Sequence, residues 1–272
     1  MNYKVLISDN LSKGIVNKFK KEDIGVVYNP EIGKDNSLLL NEICNYDAIA
    51  IRSDTKLDSI VLNKAIKLKV IGRAGIGVDN IDLDSASSKG IVVMNTPFGN
   101  AITTAEHTIA MIFAAARNIP AANQSTQSGR WEKKKFIGIE LSRKKLGIVG
   151  VGNIGSIVAS LAQSIGMEII AYDPFLSDER AKNLKIYKTK DLNDLLSQSD
   201  VVTLHLPKNE NTHDIISSKN IFKMKKGSIL VNCARGGLVE EIAVAKAIKT
   251  KHLSAAAFDV FLEEPATSNP LF

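Results

Sequence analysis

Thiols are scarce. Cys44 and Cys233 are the whole complement in 272 residues. They are too few for a disulfide framework and lack metal-ligand spacing, so they read as reduced, buried thiols, and no metal site is expected. Long apolar runs are also missing: no stretch approaches the length that spans a bilayer. The first residues, Met1-Asn2-Tyr3-Lys4, lead straight into Val5-Leu6-Ile7 without a signal-peptide pattern, so a cytoplasmic protein is expected. Aromatic residues amount to 6% with one tryptophan, and the lysines behind the net charge of +6 are scattered. That combination lacks the basic-aromatic platform of a nucleic-acid binder, and a small anionic substrate explains the charge as well. No internal repeat and no low-complexity segment occurs. What remains, 44% hydrophobic and 24% charged residues, suits a globular chain with one or two cores.

The most informative stretch runs from Lys145 to Asp173. Leu146 to Val149 are short, branched and apolar, as in a strand buried on both faces of a parallel sheet. Gly150, Gly152 and Gly155 follow at GxGxxG spacing. The first must turn tightly, the second must let backbone approach a pyrophosphate, and the third must let a helix pack closely on the strand. From Ile154 the apolar residues Ile157, Val158, Leu161, Ala162 and Ile165 recur at helical spacing, so amides at the helix start can face an anion. Glu168 to Tyr172 reads as a second strand ending at Asp173, where a carboxylate accepts ribose hydroxyls and repels a 2′-phosphate. The stretch therefore points to a dinucleotide fold binding NAD rather than NADP. A methyltransferase-type fold also has an acid after its second strand, but the third glycine argues against it.

The first hundred residues alternate short apolar runs with helical patterns. Val5 to Ser8, Val26 to Tyr28, Ala48 to Ile51, Val70 to Ile71 and Val92 to Met94 read as strands. Leu38, Leu39 and Ile43, then Ile60, Val61 and Ala65, give the stripes of connecting helices, so this half is itself an α/β layer. Two strand ends stand out, Arg52-Ser53-Asp54-Thr55-Lys56 and Arg73-Ala74-Gly75-Ile76-Gly77. In the second, small residues bare successive amides beside an arginine, which suits a carboxylate or phosphate; a plain turn with a solvated arginine is the alternative, and the preferred one for an isolated loop. Residues 95–100 read as a linker. Thr103 and Glu106 have capping-box spacing, and the apolar run from Ile109 to Ala116 predicts a helix buried between domains or subunits. His107, in its first turn, reads as structural. Gln124 to Gly138 reads as irregular; Lys133, Lys134 and Lys135 beside Trp131 form either a solvated face or an arm on a partner subunit.

After Asp173 the alternation continues. Helices are expected near Asp191 to Leu196, Ser217 to Phe222 and Val239 to Ile248, with strands at Val201 to His205, Ser228 to Asn232 and Ala255 to Asp259. With Leu146 to Val149 and Glu168 to Tyr172 these strands belong to a doubly wound sheet, for which six strands are expected. Residues after strand ends face one crevice in such a sheet. That brings together His205-Leu206-Pro207, Cys233-Ala234-Arg235-Gly236-Gly237, and Asp259 with Glu264-Pro265.

The segments NCARGG, FDVFLEEP, GVGNIG and GRAGIGVDNID make the chain resemble, essentially end to end, the D-isomer-specific 2-hydroxyacid dehydrogenases. VIGRAGIGVDNIDL, VMNTPFGN, GRWEKKKFIG and NCARGGLVE look most like the branch that oxidises D-3-phosphoglycerate to 3-phosphohydroxypyruvate, the opening step of the phosphorylated route to serine. The resemblance implies two doubly wound parallel-sheet domains: a flavodoxin-like substrate domain over 1–97, lacking its return segment, and a Rossmann NAD-binding domain over 98–272. It implies that Arg235 holds the substrate's carboxylate and keto oxygen during hydride transfer, and that Glu264 orients a histidine that takes the hydroxyl proton. By the same route, Asp259 holds the nicotinamide carboxamide, Asn153 and Ile154 bind the pyrophosphate, and Ile76, Leu206, Cys233, Ala234 and Arg235 line the cofactor groove. Arg52, Ser53 and Arg73 face the substrate, Ala74 and Gly75 offer it backbone amides, and Asn100 lies nearby. A homodimer through 101–138 is implied, with Lys133 to Lys135 adding positive potential near a partner's substrate.

The family's catalytic histidine follows the Glu-Pro segment in a Pro-His-Gly-like turn. This chain stops at Phe272, and His107, His205, His213 and His252 all lie outside that context, so a truncated, catalytically impaired chain is expected. The alternatives are a dehydrogenase of another D-2-hydroxy acid such as glycerate, and a non-catalytic NAD-binding scaffold.

Overall fold

A computed structural model describes residues 3–272. Met1 and Asn2, part of the amino-terminal reading above, lie outside the described residues. The chain divides between Asn100 and Ala101 into two compact units.

The first unit alternates strands β1 (Lys4–Ile7), β2 (Gly25–Tyr28), β3 (Ala48–Ile51), β4 (Val70–Arg73) and β5 (Val92–Asn95) with helices α1 (Gly14–Lys21), α2 (Asn36–Glu42), α3 (Ser59–Lys64) and α4 (Leu83–Ser88). The strands pair in parallel in the order β2-β1-β3-β4-β5, the doubly wound arrangement of flavodoxin-like sheets. Helices α2, α3 and α4 each start on an aspartate whose carboxylate accepts amides of the first turn: Asp35, Asp58 and Asp82. The amide of Ser85, followed by its hydroxyl, holds the Asp82 carboxyl below its usual range.

Leu39, Ile43, Val61 and Ala65 enter the core against Leu6, Ile49 and Ile71. Leu38 and Ile60 correct the expected stripes, because their side chains face solvent. In each case the neighbouring branched residue, Leu39 or Val61, takes the inward position. Apolar spacing did not single out α1 or α4: α1 buries no residue completely, and α4 buries only Ala86.

The second unit opens with α5 (Ala101–Ala116) and α6 (Ile119–Gln127). It continues with β6 (Lys145–Val149), α7 (Asn153–Ser164), β7 (Glu168–Tyr172), α8 (Asp178–Asn183), β8 (Tyr187–Lys188), α9 (Leu192–Gln198), β9 (Val201–Leu204), β10 (Ser228–Asn232), α10 (Glu241–Lys249) and β11 (Leu253–Phe258). The parallel order β11-β10-β9-β6-β7-β8 is that of a Rossmann sheet, reversing direction between β6 and β9. Every residue of β9 and β10 is buried, as strands covered on both faces require. The sixth strand, β8, is a two-residue edge that none of the apolar runs marks.

Several local expectations need correction. Thr103 lies inside α5 rather than at its cap, since the helix already begins at Ala101, and His107 therefore falls in the second turn. Within the second unit α5 buries one stripe, Ala101, Ala105, Thr108, Ile112 and Ala116, against α7 and the β10–β11 edge. Gln124 to Gln127 are helical, because α6 runs on from Pro120 near its start. The helix expected at Ser217 to Phe222 shrinks to a single 3-10 turn over Ile221–Lys223, since the Asn220 side chain accepts the Ser217 amide and donates to the Ile215 carbonyl.

Candidate functional site

In the second unit the loops after β6, β9, β10 and β11 meet in direct contact. Gly150 takes a left-handed φ of 94°, and a Cβ there would stand 2.6 Å from the His205 carbonyl oxygen and 2.7 Å from Leu206 Cδ2. A side chain is excluded on both grounds. Gly155 faces back on the turn, so that a Cβ would fall on the Gly150 carbonyl oxygen. Gly152 differs: nothing lies within 4 Å of its Cβ position, and it forms the start of α7 with no side-chain cap. The second glycine thus leaves an open cradle at a helix amino terminus, as a pyrophosphate requires. Asn153 and Ile154 form the first turn of α7 beside this cradle.

Asp173 follows β7 and ties the turn to it. One carboxylate oxygen accepts the Val151 amide at 2.7 Å and the other accepts the Phe175 amide at 2.8 Å. Its negative charge is therefore anchored beside the cradle, with lone pairs left for further donors. The residues present fit a dinucleotide with a free ribose diol.

Asn232 ends β10 and shapes the next loop. Its amide nitrogen donates to the Arg235 carbonyl at 2.9 Å while its oxygen accepts the Ala234 amide at 3.1 Å. The Arg235 guanidinium turns back to donate to the Ala234 carbonyl at 2.6 Å. A Cβ on Gly236 would fall on the Phe261 carbonyl, so the arginine loop presses on the backbone that follows Asp259. Gly237, at a φ of 81°, passes beside Lys208 Nζ and Leu262 Cδ1. Glu264 closes this segment by accepting the Phe261 amide at 2.9 Å. Arg235 and Glu264 therefore belong to segments in backbone contact.

Cys233 is buried, and burial pushes its thiol up to about 11. It stays protonated at neutral pH and serves as an apolar wall rather than a nucleophile. His205 carries a second shifted group. Its Nε2 lies 3.2 Å from Thr203 Oγ1; Nδ1 has neither solvent nor a partner, although the residue as a whole keeps some exposed surface. Burial pulls its pKa down to about 4 from 6.5.

This has a consequence for stability. Between pH 6.5 and about 4 the unfolded chain binds a proton at this ring that the folded chain refuses, so stability falls as pH falls through that window. The loss is on the order of 3 kcal/mol once pH is below about 4. Urea unfolding of wild type and His205→Gln at pH 7 and pH 4.5 checks it. The wild type should lose more stability between the two pH values, whereas equal losses would remove His205 as the cause.

In the first unit the expected substrate residues share one network at the carboxyl ends of the strands. Buried Asp9 accepts the Arg52 amide at 2.6 Å, the Asp54 amide at 3.2 Å and the Thr55 amide at 3.4 Å. Asn80 donates to the carbonyls of Arg52 and Thr55, both at 2.7 Å. Asn95 donates to the Ile76 carbonyl at 2.7 Å, and the Thr96 amide reaches the Gly75 carbonyl at 3.0 Å, which ties in the turn that ends at Asn100. Arg73 folds over Gly75, where a Cβ would meet its guanidinium. Ser53 is exposed and leans toward Asp54.

One expectation is corrected here. The Ala74 amide donates to Ile51 at 2.9 Å, extending the β3–β4 ladder, and the Gly75 amide donates to Arg73 at 3.0 Å. Both amides expected to face a carboxylate are spent within the loop.

Composition and spacing did not reveal Asp9, Asn80, Asn232 or His107 as parts of these sites. A polar residue closing an otherwise apolar strand was the available signal for Asn232. For His107 there was none, because its partner is Asp259, far along the chain, with Nε2 3.2 Å from Oδ1. Among the described residues no cluster of His, Cys, Asp and Glu could hold a metal ion, and no helix is long and apolar enough to cross a membrane.

The family model described as D-isomer specific 2-hydroxyacid dehydrogenase, NAD binding domain, matches residues 109–272. The chain is 45% identical over 269 residues to D-3-phosphoglycerate dehydrogenase of Archaeoglobus fulgidus, covering 98% of this chain and 50% of that protein. It is 45% identical over 268 residues to the protein of the same name from Methanocaldococcus jannaschii, covering 98% and 51%. The chain thus spans about half the length of these relatives. A crystal structure of D-lactate dehydrogenase from Aquifex aeolicus complexed with NAD and lactic acid superposes with a TM-score of 0.85 at 30% identity, covering 96% of this chain and 78% of that one. With the acid-anchored glycine turn and the arginine loop at one crevice, these matches have one meaning: the chain belongs to the D-isomer specific 2-hydroxyacid dehydrogenase family, and its second unit is that family's NAD binding domain.

Proposed function

We propose that the protein oxidises D-3-phosphoglycerate to 3-phosphohydroxypyruvate with NAD. The observation that carries the reading is the contact of the Arg235 loop with the Phe261–Glu264 segment at the crevice where Gly152 leaves its cradle. The choice of substrate follows the relatives named D-3-phosphoglycerate dehydrogenase. Residues 1–97 would hold the substrate and 98–272 the cofactor.

In this reading the bound nicotinamide supplies the hydride acceptor. Arg235 grips the substrate's carboxylate and the oxygen that becomes the ketone, and so orients the C–H bond. Glu264 spends one oxygen on the Phe261 amide and keeps the other to orient a basic histidine. Asp173 accepts the ribose hydroxyls and disfavours a 2′-phosphate. Arg52 and Arg73 supply positive charge for the phosphate.

A homodimer through 101–138 in the cytoplasm completes the proposal. The exposed Ile102, Trp131 and Ile137 support such an interface. Lys135 offers less free charge than its position suggests, because it pairs with Glu132 at 3.6 Å; Glu132 also binds Arg130 and Ser125.

NADH formation by the protein purified from its own cells tests the reading. D-3-phosphoglycerate should exceed D-glycerate by at least about a hundredfold in kcat/KM, the worth of two charge-assisted contacts. Preference for glycerate would overturn the assignment of Arg52 and Arg73.

A further inference from the structure

The steps assigned to Arg235, Glu264 and Asp173 make no use of the contact between His107 and Asp259. Both side chains are about half exposed, 44% and 51%, and an ion pair so placed adds little to stability. Its position is more telling than its strength. Asp259 directly follows β11, and its amide donates to the Asn232 carbonyl at 3.0 Å, so its backbone is fixed to the residue that shapes the Arg235 loop. α5 packs on the β10–β11 edge and brings His107 to the same end of the sheet.

A carboxylate can only accept hydrogen bonds, so His107 can hold it through Nε2 only when that nitrogen carries a hydrogen. The approach of Nε2 to Oδ1 leaves the second carboxylate oxygen, Oδ2, outside the contact.

We propose that His107 is a positioning residue for the nicotinamide end of the cofactor. By holding one oxygen of Asp259 it orients the other to accept the amide hydrogens of the carboxamide. The inference rests on the reading that Asp259 is the carboxamide acceptor. Without His107 the aspartate can rotate about both side-chain bonds, and the cofactor must order it on binding. The pair would thus convert a mobile surface carboxylate into a preset acceptor and fix which face of the nicotinamide ring meets the substrate.

The test compares NADH with ADP-ribose, which lacks the nicotinamide. Dissociation constants for both are measured by calorimetry on the 272-residue chain as wild type, His107→Leu, His107→Gln and Asp259→Ala. His107→Leu should weaken NADH about 5- to 10-fold and leave ADP-ribose within about twofold, while His107→Gln, which keeps an N–H donor, should recover most of the loss. Unchanged NADH binding in His107→Leu, or equal weakening of both ligands, would overturn the role. Asp259→Ala separates the two levels. If it weakens NADH selectively while His107→Leu does not, the positioning role fails and the acceptor reading stands. If it weakens neither ligand selectively, or wild type binds no NADH, the acceptor reading fails and this inference falls with it.

Discussion

Arg235→Ala is expected to lower kcat/KM of the natural protein by about a thousandfold or more while the dissociation constant for NADH changes less than about threefold. The arginine is the charged member of a loop whose shape does not depend on its side chain. Asn232 clasps that loop from inside, through the Ala234 amide and the Arg235 carbonyl, and Gly236 seats it against the Phe261 backbone. These contacts are main-chain or belong to Asn232, so they survive truncation at Arg235. The guanidinium contact to the Ala234 carbonyl goes with the side chain. The cofactor cradle at Gly152 belongs to the neighbouring β6 loop and keeps its geometry. Turnover should fail for want of the fork that grips a carboxylate and a ketone oxygen together. Arg235→Lys should recover little, because an ammonium cannot supply two parallel donors. Losses of comparable size in turnover and NADH affinity would show instead that the side chain builds the cofactor groove.

The sheet of each unit was legible because parallel strands buried on both faces have to be continuous apolar runs. Glu168 to Tyr172, Ser228 to Asn232 and Ala48 to Ile51 coincide with β7, β10 and β3 to the residue. The glycine turn was legible for a related reason: its spacing reflects steric demands, visible in the positions of Gly150 and Gly155. Short connecting helices were less visible. With only one or two turns, α3 and α4 depend more on the carboxylates of Asp58 and Asp82 than on an apolar stripe, and so Ile60 could be apolar and still face water. The polar scaffolding beneath the expected site residues was the least legible part. Asp9 holds the Arg52 loop across β1 and β3, and His107 meets Asp259 across a helix and a strand edge. Such pairs are fixed by strand order, which a single chain's local pattern does not contain. The Ala74 amide shows the opposite error: a small residue after a strand suggested a free donor, but the ladder had already used it.

Gly152→Ala and Gly155→Ala should fail in different ways although each adds one methyl group to the same turn. At Gly155 the new Cβ would fall on the Gly150 carbonyl oxygen, with His205 Cβ at 3.5 Å on another side. Neither is the movable end of a flexible side chain. The start of α7 would have to withdraw from β6, and the core contacts of Val158, Ala159 and Ala162 would be disturbed with it. A cost on the order of 3 kcal/mol or more is expected, with a lower unfolding midpoint in urea and no measurable NADH binding near room temperature. At Gly152 the backbone has a φ of −75°, which any residue adopts, and nothing lies within 4 Å of the added atom. The folded chain should accept alanine with a stability change under about 0.5 kcal/mol. Its space is the cradle, so NADH affinity should fall at least about tenfold as the methyl holds a pyrophosphate off the α7 amides. Urea unfolding and NADH titration on the two variants separate the cases. A Gly152→Ala protein that binds NADH like wild type would move the pyrophosphate out of this turn. Equal destabilisation by both variants would mean that the turn tolerates no side chain for reasons of folding alone.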